Sequence, residues 1–252
     1  MIRTIRSEWI KLRTVRMNTV LVVLAIAFPL IVTVLTTVFV DSNDMSSQNL
    51  VSLVTGTSVV TGLLLGVIGA AAITSEFGFG TIRPTFAATP RRSRVLFAKA
   101  VVTVLVAIVV EAVVVALCFG VGSIILNSRG GGISLSDAGS ARGALVGIVF
   151  FAAIVSLLGY GLGLLIRSTP ASIAVLILWP LVAESIVGGI LFAAGVENGG
   201  KWLPYSAGIN LGDPDAGLDS ASLGRVAGGL YFFAVAAVIT VLGAISVQRR
   251  DA

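Results

Sequence analysis

Six apolar runs, each long enough to cross a bilayer, leave this chain few ways to fold. They lie at roughly residues 19–40, 55–74, 97–126, 143–166, 171–194 and 226–247. Each meets the ~20 residues that a helix needs to span ~30 Å of hydrocarbon. A helix is also the form in which a single segment satisfies its own backbone polar groups in lipid. The expected fold class is an all-α integral membrane protein with six transmembrane helices. Charged residues make up 12% of the 252, and hydrophobic ones 56%; soluble domains carry ~25% charge. Six spans leave no room for a soluble catalytic domain, so the chain's role concerns the bilayer or something that crosses it.

Charge placement sets the expected orientation. Lys and Arg collect before the first run (Arg3, Arg6, Lys11, Arg13, Arg16), between the second and third (Arg83, Arg91, Arg92, Arg94, Lys99), at Arg167, and in the tail at Arg249 and Arg250. The opposite side holds Arg129, Arg142, Lys201 and Arg225. Thirteen against four predicts both termini on the cytoplasmic face. The acidic segments 41–44 and 213–219 then fall outside. These cations flank spans without interleaved aromatics, which argues against nucleic acid as a partner despite the net charge of +5.

Several chemistries are missing. The chain has no His, so His-based acid–base catalysis and His metal sites are excluded, and the single Cys118 has no partner for an intrachain disulfide or a Cys zinc cluster. Gly195-Val-Glu-Asn-Gly-Gly-Lys201 matches seven positions of a phosphate-binding loop, but Trp202 stands where Ser or Thr would hold magnesium. That stretch also leaves an apolar span instead of a strand. The alternating carboxylates Asp213, Asp215 and Asp219 lack the Glu of a calcium loop, with Gly224 in its place; they read as a solvated acidic loop.

The N-terminal basic segment followed by an apolar run resembles a signal peptide in outline, but the run continues past Ala27 and five more follow. Within residues 1–17, Ile2, Ile5, Trp9 and Leu12 recur at spacings of three and four. That pattern predicts an amphipathic helix lying in the cytoplasmic interface, its cations near anionic headgroups.

Residues 75–96 are long for a simple connector. They interleave turn formers (Gly78, Gly80, Pro84) with Phe77, Phe79, Ile82 and Phe86 and with charges of both signs. Thr89-Pro90 reads as a helix N-cap and first helical residue. Arg91, Arg92 and Arg94 then open a helix running into the third span. Two carboxylates, Glu111 and Glu184, lie deep within apolar runs. A lipid-facing charge there costs about 2.5 kcal/mol or more, so each must face protein or water, be paired, or be protonated. They are candidate intramembrane polar sites, either in a substrate or proton path or as hydrogen-bonded structural groups. Pro180 is expected to kink span five, Gly188-Gly189 to break it again, and residues 195–225 to form a long, partly re-entrant outer loop. Gly62/Gly66, Gly143/Gly147 and Gly159/Gly163 have the spacing of close helix contacts.

Glu76, Gly80-Thr81 ahead of Arg83, Pro90 with its basic neighbours, and Lys99 resemble the cytoplasmic coupling region of ABC-2 type permeases. Ser7-Glu8-Trp9-Ile-Lys11-Leu-Arg13 is similar to the start of bacterial members, and Trp202-Leu-Pro204-Tyr205, more faintly, to an outer segment. The resemblance implies a permease subunit in a bacterial cytoplasmic membrane that pairs with a second permease, as homodimer or heterodimer, and with two P-loop ATPase subunits. ATP and magnesium would sit on those ATPases, and this chain would hold no cofactor, metal or catalytic residue. Glu76, Phe77, Phe79, Gly80, Thr81, Arg83, Phe86, Pro90 and Arg91 would form the ATPase-coupling loop, with Glu76 and Arg83 in charged contacts and the phenylalanines packing. The Val-, Leu- and Ala-rich spans lean towards export of a hydrophobic or amphipathic cargo. Two other classes stay open: an ion-coupled secondary transporter using Glu111 and Glu184, and a non-transporting sensor or immunity-type protein.

Overall fold

The computed structural model describes residues 2–42, 44–81, 92–196, 198–216 and 222–250, with side chains left out at 2–5, 92 and 250. Helix α1 (Ile2–Thr14) is followed by α2 (Arg16–Phe39), α3 (Ser47–Gly78), α4 (Arg92–Ser128) and α5 (Arg142–Ile166). The fifth span is composite: α6 (Thr169–Leu178), a π-helical turn at Trp179–Ala183, and α7 (Glu184–Ala193). A short α8 (Pro204–Ile209) precedes the last span, α9 (Arg225–Arg250). Among the described residues there is no strand, and six helical segments are long and apolar enough to cross a membrane.

The helices outrun the apolar runs. The second begins at Ser47, where the Ser46 hydroxyl accepts the Asn49 amide at 3.1 Å, so Gln48 and Asn49 are helical although polar. Helix α1 stops because Val15 is extended. Asn18 folds back to donate to the Leu12 carbonyl at 3.1 Å, satisfying one of the acceptors a helix end leaves open. At the other end of α2, Arg129 donates to Thr37 O at 2.6 Å and Val40 O at 2.8 Å. It is a cation at the negative end of a helix.

Helices α3 and α5 are the buried centre, and small residues set their distance. A Cβ on Gly159 would lie 2.0 Å from the Gly66 carbonyl oxygen, and one on Gly69 would lie 2.2 Å from that of Ser156. Only glycine permits backbones this close, which is how membrane helices gain contact where lipid removes the hydrophobic drive to associate. Gly62/Gly66 and Gly159/Gly163 thus face the same seam. Gly147 instead lies under Leu211 O, in the segment between α8 and α9, and Gly143 under the Arg225 side chain. Phe151 of α5 stacks with Phe232 of α9, and Tyr205 of α8 meets both rings edge-on.

Span five departs from expectation in one respect. Pro180 does sit at an irregularity: the Glu184 amide reaches back five residues to Trp179 O, the pattern that accommodates the amide Pro lacks. Gly188-Gly189 does not break the helix; α7 runs through both. Without competing water, glycine keeps its helical hydrogen bonds. The same span and α2 expose apolar faces, including Leu181, Ile190 and Phe192 on one and Val20, Val23 and Ile31 on the other.

Gly159→Ala is expected to lower the thermal midpoint of the detergent-solubilised protein, at a cost of about 1–3 kcal/mol or more for overpacking. Gly56→Ala, with nothing within 4 Å of the new methyl, is expected to leave it unchanged. Equal midpoints for the two variants would rule out the close seam.

Candidate functional site

The first candidate is built where α3 ends. Gly80 adopts a φ of 67°, open to glycine at no steric cost. Its amide donates to Phe77 O at 3.2 Å, and the Thr81 amide donates to Glu76 O at 3.0 Å. These two bonds form a Schellman stop, so Gly80-Thr81 is the device that terminates the helix one turn beyond Glu76. Phe79, at the turn, is 83% exposed. Phe77 points the other way, into Ile73, Val95, Leu96 and Tyr160, with the Arg167 guanidinium 5.2 Å from its ring centre.

Glu76 is turned inward. Its Oε1 takes Lys99 of α4 at 3.0 Å and Lys11 of α1 at 3.0 Å. Lys11 also reaches Glu8 at 2.8 Å, and Lys99 closes the circuit on the other oxygen of Glu8. Two carboxylates and two ammoniums therefore alternate in a closed, neutral ring across three helices. The Glu8, Glu76 and Lys99 side chains are 5%, 10% and 4% exposed, and Lys11 is 44% exposed. Burial pushes the Glu8 carboxyl up, but the Lys99 ammonium and the Lys11 bond outweigh it and hold it below its ordinary 4.5. Burial likewise works against charged Lys11, and the bonds to Glu8 and Glu76 overcome it and raise Lys11 above its ordinary 10.5.

The ring changes the reading of α1. Trp9 is about half exposed, and the most buried described residue of α1 is Glu8. Leu12 packs against Leu65 and Ile68, and the Ile2 and Ile5 side chains lie outside the described residues. A desolvated, paired charge holds a helix more specifically than one more apolar contact among many. Glu8, Lys11 and Lys99 were legible only as members of a resemblance. The i, i+3 spacing of Glu8 and Lys11 was the available signal. Arg83, Phe86, Pro90 and Arg91 lie outside the described residues, as does the Thr89-Pro90 cap; described helix resumes at Arg92. Thr81 is exposed.

The two intramembrane carboxylates have opposite surroundings. Glu184 accepts Trp179 Nε1 at 3.0 Å, the Tyr205 amide at 2.7 Å, and the Ser206 amide and hydroxyl both at 2.8 Å. It caps the first turn of α8 from a distant part of the chain. Glu184 lies nine residues before the end of α7, about 14 Å at 1.5 Å per residue, so the segment after α7 folds back that far along it. Glu111 is fully buried, and neither of its oxygens has a hydrogen-bond partner. The stretch that mimics a phosphate-binding loop forms a 3₁₀ turn at Gly199–Trp202.

Lys99→Met would leave the buried Glu8 and Glu76 with only the half-exposed Lys11 between them, a loss of about 3–5 kcal/mol, seen as a lower thermal midpoint and proteolysis near Val15. Lys11→Met, removing the half-exposed member, is expected to cost about 1 kcal/mol or less. Glu8 contributes fully above 4.5, and that contribution drains as pH falls through its lower folded value. Lys11 contributes fully below 10.5 and loses it as pH rises through its higher folded value. Cleavage at Val15 is therefore expected to be flat across neutral pH and to rise in acid and in strong alkali.

No curated protein matches the chain. A family model described as ABC-2 family transporter protein matches residues 4–194, which include α1, the ring and the first five spans. The six spanning helices and this match agree, and the chain belongs to the ABC-2 family of transporter proteins, as a membrane-spanning permease component of an ABC transporter.

Proposed function

We propose that this chain is the permease subunit of an ATP-driven exporter in a bacterial cytoplasmic membrane, with both termini cytoplasmic. Two P-loop ATPase subunits carry ATP and magnesium, and a second permease, identical or related, completes the complex. The observation that carries the reading is the buried ring of Glu8, Lys11, Glu76 and Lys99. It clamps the two stems of the 75–96 segment to each other and to α1.

The ring gives that segment a mechanical role. A push from a closing ATPase would be absorbed by a segment whose stems were free. With Glu76 at one stem and Lys99 at the other locked together, it displaces α1, α3 and α4 as a unit. Helix α3 passes the displacement to α5 through the Gly66–Gly159 seam, where interposed side chains cannot cushion it. The docking contacts fall to Phe79, which faces outward, and to Arg83, Phe86, Pro90 and Arg91, which lie outside the described residues. Glu76 serves the clamp instead of the partner.

A hydrophobic or amphipathic cargo is supported by the lining of the cavities. One of about 210 Å³ lies among Leu158, Leu162, Val175, Trp179, Tyr205 and Phe232, an apolar wall at the junction of α5, α6 and α9.

The test is co-purification from native membranes in mild detergent. Wild-type protein is expected to bring down a P-loop ATPase. Phe79→Asp with Arg83→Ala is expected to lower its yield by roughly tenfold or more, as for a central interface anchor, with the thermal midpoint unchanged. Glu76 variants are unsuited, because they also unsettle the fold. Failure to recover any ATPase under conditions that preserve other ABC complexes would count against the permease reading.

A further inference from the structure

Among the described residues, Glu111 is a fully buried charged group of the spans with no hydrogen-bond partner on either oxygen. It lies twelve residues beyond Lys99 and eighteen before Arg129, about 18 Å and 27 Å along α4. The hydroxyl facing it is Ser58 of α3. Cys118 lies two turns further along α4, beside Thr33 of α2. Ser58 is also fully buried, and its hydroxyl oxygen has no other hydrogen-bond partner. Two helices thus bring two unsatisfied polar side chains together in an apolar interior, with Val54 and Val114 among the buried residues there.

No cation of this chain can answer them. Residues 17–40, 45–75, 143–166, 168–183, 185–196 and 226–248 contain no charged residue, and between Lys99 and Arg129 Glu111 stands alone. An ionised carboxylate here would keep its whole desolvation cost, several kcal/mol even after relaxation. A neutral carboxylic acid has a donor to offer, and Ser58 is positioned to take it. Native proteins leave few buried polar groups unpaired, and those that remain call for an unseen occupant. The site is too apolar for a metal ion, since Glu111 is its only charged ligand. The smallest occupant that satisfies it is a proton.

We propose that Glu111, with Ser58, forms a proton-binding site between α3 and α4, and that Glu111 carries its proton at neutral pH. The bond at issue is Oε–H: on loading, the carboxylate gains a proton and becomes a donor to Ser58 Oγ; on release, the proton leaves and an uncompensated anion remains. Cys118 is the titratable neighbour of this group among the described residues; the ring of Glu8, Lys11, Glu76 and Lys99 lies towards the start of α4. The site does not depend on the permease reading, because it belongs to this chain with or without an ATPase.

Infrared difference spectroscopy on the protein in phosphatidylcholine vesicles at neutral pH tests this. A protonated carboxyl has a C=O stretching band that an ionised carboxylate lacks. Wild type is expected to show one such band, shifted by deuterium exchange, absent in Glu111→Gln and displaced in frequency by Ser58→Ala. Glu111→Gln keeps a neutral donor in the same volume, so its thermal midpoint should stay close to wild type; if it fails to fold, Glu111→Asp should retain the band at an altered frequency. A wild-type spectrum with no acid band, or a band that persists unchanged in Glu111→Gln and Glu111→Asp, would overturn the proposal.

Discussion

Hydrocarbon offers a polar group no partner, and that constraint decides most of what is specific in this molecule. Twelve per cent of the residues are charged, and the fold is largely the record of where they can go. Most stand at helix ends, where water or headgroups receive them. Those drawn inward are answered in different ways. The ring at the stems of the 75–96 segment answers anions with cations. Glu184 is answered by backbone amides and a hydroxyl of α8. Glu111 has no hydrogen-bond partner on either oxygen and faces only the Ser58 hydroxyl, itself without a partner. Apolar packing fills the space between, but it does not distinguish one helix arrangement from another as sharply. Valine and leucine are interchangeable against lipid, whereas a paired charge in the interior has one solution.

The number of spans and the helical class were legible because a run of twenty apolar residues has one physical meaning. The glycine pairs were legible as close contacts, but not which helices they join: spacing gives a face, not a partner. Gly62/Gly66 and Gly159/Gly163 meet across α3 and α5, while Gly143 and Gly147 seat the segment beyond α8. Gly188-Gly189 misled, because glycine breaks helices by exposing backbone to water, and there is little water to compete here. At the candidate site the stop signal at Gly80-Thr81 was visible in residue type. The direction of Glu76 was not. An acidic residue beside a docking loop looks outward until the two lysines that claim it are found, one of them sixty-five residues away. Long-range pairing leaves no local trace in one sequence.

The ring also separates two duties that a linear motif runs together. Residues 76–81 hold a group that faces in, Glu76, a glycine that ends the helix, Gly80, and an aromatic that faces out, Phe79. Adjacent in sequence, they do unlike things: one fixes the stems, one shapes the turn, one offers surface. Stems tied by paired charges hold the two ends of the 75–96 segment at a fixed spacing.

The order in which the ring's members leave the ribosome has a consequence for biogenesis. Glu8 and Lys11 are made first, and Lys99 follows ninety-one residues after Glu8. At about 5–20 residues per second, the gap is roughly 5–18 s. During that interval Lys11 can find Glu76, but Glu8 has only Lys11 to pair with and the ring stays open. The first two spans are therefore made before the helix that precedes them can dock fully, and the start of the third span is the moment at which this end of the bundle closes.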